Sequence, residues 1–225
     1  MTRRRELRFG AAGSAGDVSA LLQCPPDARW LLVLAHGAGA GMRHAFMEGL
    51  AAQLGGCGVA TLRYQFPYME QGSRRPNPRP ILLATVRAAV AAAAEVADDL
   101  PLLAGGKSMG GRMTSLAAAE KPLPGVRGLV FFGFPLHAAG RPATERADHL
   151  AAVDAPMLFL QGTRDRLADL DRLRPICGGL GRRGRLHVVD GADHSFHALK
   201  RSGRDDPQLL EEIAATVADW ASGLL

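Results

Sequence analysis

A serine between glycines is the first pattern in this chain that indicates chemistry: Gly106-Lys107-Ser108-Met109-Gly110 has the form G-x-S-x-G. This form is typical of a serine nucleophile on a sharp turn between a strand and a helix, where small neighbours prevent a clash. The same stretch contains Gly-Lys-Ser, the end of a phosphate-binding loop. That loop needs a glycine at position 101, where this chain has Pro101, so we exclude it.

A serine nucleophile needs a base that takes its proton and an acid that orients the base. Asp165 follows a predicted strand at 156–161, and His194 follows the next predicted strand at 186–189. The carboxyl ends of parallel strands meet at one edge of a sheet, so both side chains are expected near Ser108. The intervals of 57 and 29 residues each leave room for a helix and a strand. We therefore predict a catalytic triad of Ser108, Asp165 and His194.

Other residues compete for two of these roles. Asp165 has a structural alternative as a turn former, and Asp169 is the alternative acid. His197 is the alternative base, whereas His187 lies inside a predicted strand, which favours a structural role. Order, spacing and position at the sheet edge together favour Asp165 and His194.

The tetrahedral intermediate of acyl transfer needs two N–H donors for its oxyanion. We predict the amide of Met109, directly after the nucleophile, and the amide of Ala38, with Gly39 as the second choice. These two residues lie in the glycine-rich loop 36–41, where His36 is expected to brace the loop. The loop does not fit a dinucleotide-binding G-x-G-x-x-G, because the third glycine would fall on Met42 or His44.

The alternation of apolar runs and helical patterns predicts an α/β fold with a mainly parallel sheet and helices on both faces. Helices are predicted at 80–98, at 110–120 and from Asp206 onwards, and strands at 30–35, 59–64, 102–105, 126–132, 156–161 and 186–189. Residues 6–24 are expected to form an antiparallel edge hairpin. Residues 135–155 carry one short helix near 143–152, which is too little chain for a large cap. We expect one domain over 1–225.

Composition excludes several classes of protein. Hydrophobic residues make up 47% of the 225 residues and charged residues 22%, which is typical of a globular protein. The net charge of +5 comes in short clusters, Arg3-Arg4-Arg5, Arg74-Arg75, Arg182-Arg183 and Lys200-Arg201. These clusters are too short for a nucleic-acid tail, and we expect no nucleic-acid partner. Three widely spaced cysteines predict neither a disulfide framework nor a metal site, and no signal peptide or membrane span is apparent. We expect a cytoplasmic protein.

The chain resembles an α/β-hydrolase over nearly its whole length, and it is similar to the small, lidless members related to dienelactone hydrolase. The namesake enzymes use a cysteine nucleophile, whereas this chain has Ser108. A closer resemblance is to bacterial relatives of the branch named for a testis-expressed protein and a subunit of a chromatin-acetylation complex. The motifs that carry it are residues 36–42 (HGAGAGM), 63–68 (RYQFPY), 135–137 (PLH), 161–165 (QGTRD) and 199–203 (LKRSG). The chain departs from that pattern at Arg166 and at Ala138-Ala139.

The interpretation is a serine hydrolase that cleaves small carboxylic esters through an acyl-enzyme, without a metal or organic cofactor. The motif does not distinguish an ester from a thioester, amide or peptide bond. The alternative is a non-catalytic interaction module on the same fold, which would have no reason to retain the triad and both oxyanion loops. A shallow substrate pocket is expected, and its predicted lining is Gly39, Tyr64, Phe66, Tyr68, Phe134, His137 and Phe196.

Overall fold

One eight-stranded sheet organises the chain in the computed structural model, which describes residues 1–11, 16–199 and 202–224. In sequence order the strands are β1 (Arg3–Gly10), β2 (Asp17–Cys24), β3 (Trp30–Ala35), β4 (Val59–Tyr64), β5 (Leu102–Lys107), β6 (Val126–Phe132), β7 (Met157–Gly162) and β8 (Gly184–Val189). Their order in the sheet is β1-β2-β4-β3-β5-β6-β7-β8. The strand β2 is antiparallel to β1 and β4, and all later pairs are parallel. The mainly parallel sheet and the edge hairpin are confirmed.

Helices cover both faces of the sheet, as predicted. They are α1 (Ala45–Gly56), α2 (Pro67–Glu70), α3 (Arg79–Val96), α4 (Met109–Glu120), α5 (Leu170–Gly179) and α6 (Asp206–Ser222). The buried residues of α1 and α6 pack on one face, and those of α3, α4 and α5 on the other. Strand β3 is buried throughout, and its side chains alternate between the two clusters. This alternation explains its uniformly apolar sequence.

The main differences from the predicted elements are two helices that the sequence interpretation did not assign, α1 and α5. The predicted strands and the other long helices are confirmed to within a few residues at each end. The basic pair Lys200-Arg201 lies outside the described residues. None of the helices in the described ranges is long and apolar enough to cross a membrane.

Within the described residues, the carboxyl edge of the sheet carries no large cap, as predicted. Between β6 and β7 the chain forms only loops and a short 3₁₀ helix, Glu145–Ala152, close to the predicted position 143–152. Ala147 and Leu150 of this helix are buried against the sheet layer below. The open edge leaves the loops after β3, β5, β7 and β8 free to meet.

We predict that Gly105→Ala destabilises the fold by about 3 kcal/mol or more, because overpacking against backbone cannot be relieved by rotamer changes. A Cβ at this position in β5 would lie 1.9 Å from the Val130 carbonyl oxygen on β6. The control is Gly178→Ala in α5, where an added Cβ meets nothing within 4 Å among the described residues. Urea unfolding of both variants tests this, and equal stability would contradict the packing described for β5 and β6.

Candidate active site

Ser108 lies at the tip of a sharp turn between β5 and α4. Its backbone has φ of 50° and ψ of −116°, a strained conformation for a residue with a side chain. Close contacts on both sides explain the flanking glycines. A Cβ on Gly106 would lie 2.5 Å from the Ala35 oxygen, and one on Gly110 would lie 2.5 Å from the His36 oxygen. The turn therefore presents the Ser108 hydroxyl at the open edge of the sheet.

His194 and Asp165 extend from Ser108 in a hydrogen-bonded chain. The His194 Nε2 atom is 2.8 Å from Ser108 Oγ, and its Nδ1 atom is 2.7 Å from Asp165 Oδ2. The Asp165 side chain is fully buried, whereas the His194 side chain is 24% exposed. A proton on Nδ1 that is donated to the carboxylate leaves Nε2 free to accept the Ser108 proton. This geometry can activate the serine hydroxyl.

Two further groups hold the Asp165 carboxylate in place. Gln161 Nε2 donates to Oδ2 at 2.5 Å, and the Leu167 backbone N–H donates to Oδ1 at 2.8 Å. Gly133, which follows β6, has φ of 70°, and a Cβ there would lie 3.4 Å from both Asp165 Oδ2 and His194 Nδ1. The buried carboxylate is thus satisfied by hydrogen bonds, and the crowding around it fixes its orientation.

The alternative acid and bases are engaged elsewhere. Asp169 pairs with Arg172 and lies 3.7 Å from the Nε2 atom of His137. His197 is exposed and bonds to Asp206 at 2.9 Å through Nδ1. His187 bonds to Glu212 at 2.7 Å through Nε2, between β8 and α6. The structure therefore brings Asp165 and His194, but not these alternatives, to Ser108.

The predicted oxyanion donors belong to two segments that adjoin the nucleophile, the start of α4 and the loop after β3. Within the described residues, neither the Met109 nor the Ala38 backbone N–H donates a hydrogen bond. The loop that carries Ala38 packs on the turn, since a Cβ on Gly37 would lie 3.7 Å from Ser108 Cβ. Neither amide is therefore engaged by an acceptor in the described residues, which the predicted role as oxyanion donors requires.

Comparison with known families identifies this architecture. Residues 28–222 match the family described as the alpha/beta hydrolase domain. The chain belongs to the α/β-hydrolase family. This α/β-hydrolase is also 33% identical over 211 residues to a Mycobacterium tuberculosis protein provisionally named a phosphoribosyl transferase. The match covers 90% of this chain but only 43% of that protein, so the α/β-hydrolase spans less than half of its relative.

Solved structures show the same fold along the whole chain. A dienelactone hydrolase from Anabaena variabilis has a TM-score of 0.78 at 20% identity, with coverage of 99% of this α/β-hydrolase and 98% of that chain. A serine hydrolase without a lid from Xanthomonas campestris has a TM-score of 0.74 at 20% identity, with coverage of 98% and 96%. At this identity the likeness establishes the α/β-hydrolase fold.

A cavity of about 390 Å³ opens at Ser108 and His194 in this α/β-hydrolase. Besides these two residues, its lining comes mainly from the loop after β3, the start of α1 and the loop after β7, through Ala38, Ala40, His44, Phe46, Met47 and Leu167. Most of these groups are apolar, which suits the acyl or alcohol part of an ester. In the described part of the chain, no cluster of three or more His, Cys, Asp or Glu side chains is placed to hold a metal ion.

The predicted lining of the pocket is wrong. Six of its members have side chains buried in the layers below the cavity, namely Tyr64, Phe66, Tyr68, Phe134, His137 and Phe196. Gly39 is exposed on the loop after β3, but it is not among the described residues that border the cavity. The physical reason is the apolar area of the rings, whose burial is more favourable than exposure at an open sheet edge. His137 is held there by a bond from the Asp169 amide to its Nε2 atom.

Phe46 and Met47, the cavity-lining residues of α1, were missed because that helix was not assigned. Met47, Leu50, Ala51 and Leu54 are its buried residues, at the spacing of one helix face. That periodicity was the available signal, and it would have placed Phe46 and Met47 at the start of a helix that follows the oxyanion loop. Gln161 was likewise missed as a partner of Asp165, since no spacing rule links a strand residue to an acid in the following turn.

His36 braces the oxyanion loop, as predicted, and it does so as a neutral ring. Its Nδ1 atom is 2.7 Å from the Gly37 oxygen, so it donates there, and its Nε2 atom accepts from the Phe66 N–H at 3.0 Å. Burial lowers the pKa of His36 from 6.5 to about 4. A second proton would face the Phe66 N–H and break this arrangement.

We therefore predict that the contribution of His36 to the free energy of unfolding is lost at acidic pH. The unfolded chain protonates this residue below pH 6.5, and the folded chain only near pH 4, so its contribution to stability is complete above 6.5 and falls as the pH drops. The full loss is about 3 kcal/mol. The unfolding free energy should fall less steeply between pH 6.5 and 4.5 in His36→Gln than in wild type.

His197→Gln is the matched control for this titration. His197 is exposed, and its hydrogen bond to Asp206 raises its pKa, so its contribution has the opposite dependence on pH. Equal slopes for His36→Gln and wild type would show that folding does not lower the pKa of His36.

Proposed function

We propose that this α/β-hydrolase is a serine hydrolase that cleaves carboxylic esters, with Ser108 as nucleophile, His194 as general base and acid, and Asp165 as the group that orients His194. The observation that carries the proposal is the hydrogen-bonded chain from Ser108 through His194 to Asp165, at 2.8 and 2.7 Å. The strained turn at Ser108 supports it, because such strain is characteristic of functional sites.

The reaction proceeds in two halves. Ser108 Oγ attacks the ester carbonyl carbon while its proton moves to His194 Nε2, and the oxyanion is held by the amides of Met109 and Ala38. The intermediate collapses to an acyl-serine as His194 returns the proton to the departing alcohol. Water then attacks the acyl-serine with His194 again as base, which releases the acid and restores the Ser108 hydroxyl.

The names of related proteins favour a hydrolase over a non-catalytic module. Besides the two solved structures above, esterase is part of the name of further neighbours with the same fold. The transferase name of the mycobacterial relative belongs to a protein more than twice as long as the match, and we propose the hydrolase activity for the segment that this chain matches. We propose in addition that the chain is related to the α/β-hydrolase branch named for a testis-expressed protein, on the motifs given in the sequence analysis.

We predict a preference for short acyl chains. The cavity at Ser108 is about 390 Å³ and is covered by no cap among the described residues, so the far end of a long acyl chain would remain in water. Each methylene that is not buried forgoes about 0.8 kcal/mol. Across p-nitrophenyl esters from C2 to C16, kcat/KM should be highest at C2 to C4, without activation at a lipid interface. A maximum at C10 or beyond, or a jump above the critical micelle concentration, would show a deeper or lidded site.

A further inference from the structure

Lys107, the residue between Gly106 and Ser108, carries a buried amine that the reaction above does not use. Within the described part of the chain, its Nζ atom has no hydrogen-bond partner and no contact with solvent. Burial of an ammonium group without hydrogen bonds is costly, so such a group needs a physical reason. Because Lys107 directly precedes the nucleophile, the reason for burying its amine concerns the active site.

Two aromatic rings and one glycine surround the Lys107 amine. Its Nζ atom lies 5.8 Å from the centre of the Phe46 ring and 5.6 Å from that of Phe196, within reach of a cation–π interaction. The two rings also stack on each other, with centres 5.7 Å apart. A Cβ on Gly133 would lie 3.2 Å from the amine, so that glycine makes room for it. The ammonium thus joins the start of α1, the turn after β6 and the loop after β8.

The charges that face Lys107 come from the loops after β7 and β8. Burial lowers the pKa of the Lys107 ammonium to about 8, and the charges of Asp165 and Asp193 oppose this by raising it. His194 lies on the same loop as Asp193, and His44 precedes α1 in the cavity lining. Gly133 adds no charge. The ammonium therefore supplies positive charge beside the buried Asp165 carboxylate.

Phe196 links this ammonium to the catalytic histidine. It has a positive φ of 59°, and it follows His194 by only two residues. Asp193 Oδ1 accepts from the amides of Ser195 and His197, which makes the loop one tight unit. A group that holds the Phe196 ring in place therefore also holds the backbone that carries His194.

We propose that Lys107 is a positioning residue whose ammonium, held against the Phe46 and Phe196 rings, keeps the His194 loop at hydrogen-bond distance from Ser108. The inference rests on the proposed function. The neutral amine attracts neither the rings nor the two aspartates, so the hold is present while Lys107 is protonated and is lost as the pH rises through about 8. A residue that only fills space would show no such dependence on charge.

We expect a lower kcat and a changed dependence of kcat on pH above pH 8 when Lys107 is replaced. Lys107→Met should lower kcat at pH 7 about tenfold to a hundredfold with little change in KM, because a displaced base affects the proton transfer more than binding. Wild type should lose activity above pH 8, whereas Lys107→Met should show no such loss between pH 7 and 9.5. Lys107→Arg keeps its charge in this range and should stay active at higher pH than wild type.

The experiment measures kcat and KM on p-nitrophenyl acetate from pH 6 to 10 for wild type and both variants. Lys121→Met is the control, since Lys121 is exposed at the other end of α4, and it should keep the wild-type profile. If Lys107→Met loses kcat above pH 8 as wild type does, the proposal is overturned. If that variant does not fold, a loss of kcat in Lys107→Arg that begins near pH 8, as in wild type, overturns the proposal equally.

A second measurement separates this inference from the proposed function. Amide hydrogen exchange of residues 192–198 is measured at pH 7 in two variants, Ser108→Ala alone and Ser108→Ala combined with Lys107→Met. Faster exchange in the double variant supports the positioning role even if wild type hydrolyses no ester. Unchanged exchange contradicts the positioning role even if wild type is an active esterase.

Discussion

Replacing Ser108 with alanine is expected to lower kcat/KM for p-nitrophenyl acetate by a factor of about 10⁴ to 10⁶, since loss of a triad nucleophile leaves only the residual contribution of binding and the oxyanion hole. The fold should be retained. The only side-chain hydrogen bond of Ser108 in the described structure is to the partly exposed His194, and alanine fits the turn that serine occupies.

Ser115→Ala is the control for that variant. Ser115 is a buried serine on α4, the helix that follows Ser108, and its hydroxyl lies 2.7 Å from His149 Nε2, but it is inside the helix rather than on a strained turn. It should retain turnover. Assays at equal folded concentration, checked by circular dichroism, decide the matter. More than a tenth of wild-type activity in folded Ser108→Ala would remove Ser108 from the reaction.

Asp165→Asn is expected to lower kcat by about 10⁴, because an amide no longer holds His194 in the tautomer that accepts the serine proton. An asparagine at this position would point its NH₂ group either at the His194 Nδ1 proton and the Gln161 amide that now donate to Oδ2, or at the Leu167 N–H that now donates to Oδ1. His194→Ala should cost at least as much, since the base itself is removed.

Asp169→Asn and His197→Ala are the matched controls for these two variants. Asp169 is half exposed beside Arg172, His197 is exposed beside Asp206, and among the described residues neither side chain hydrogen-bonds to His194 or Ser108. Each control should keep kcat within about tenfold of wild type, a range consistent with indirect effects on a neighbouring loop. A larger loss in a control than in its counterpart would reassign that role.

The positions of the reacting groups could be predicted because they depend on strand ends. Ser108, Asp165 and His194 each come directly after an apolar run that forms a strand, and parallel strands in one sheet present these ends along one edge. The order of the strands and the shortness of the loops after them are enough to predict that the three side chains meet. The glycines at 106 and 110 marked the turn itself.

The walls of the cavity could not be predicted in the same way. Tyr64, Phe66 and Tyr68 come directly after or at the end of β4, but position at an edge does not tell whether a ring points to the cavity or to the core. All three are buried, and His36 packs edge-on against Phe66 at 5.0 Å. Ring direction depends on the volume left by neighbouring helices, which no local pattern reports.

The helix α5 shows a second physical limit of prediction from the sequence. Its buried residues are only Leu173 and Cys177, one turn apart, and Pro175 lies between them. A proline inside a helix removes a hydrogen-bond donor and argues against the assignment. Packing against the sheet layer outweighs that cost in the folded chain.

Covalent labelling with a fluorophosphonate, followed by mass spectrometry, tests the central claim most directly. A fluorophosphonate reacts with a serine only when a neighbouring base activates the hydroxyl. We predict one adduct per chain, on the tryptic peptide that spans residues 108–112, with no adduct in Ser108→Ala and much slower labelling in His194→Ala. A folded wild-type chain that stays unlabelled, or an adduct that maps to any residue other than Ser108, would contradict the account.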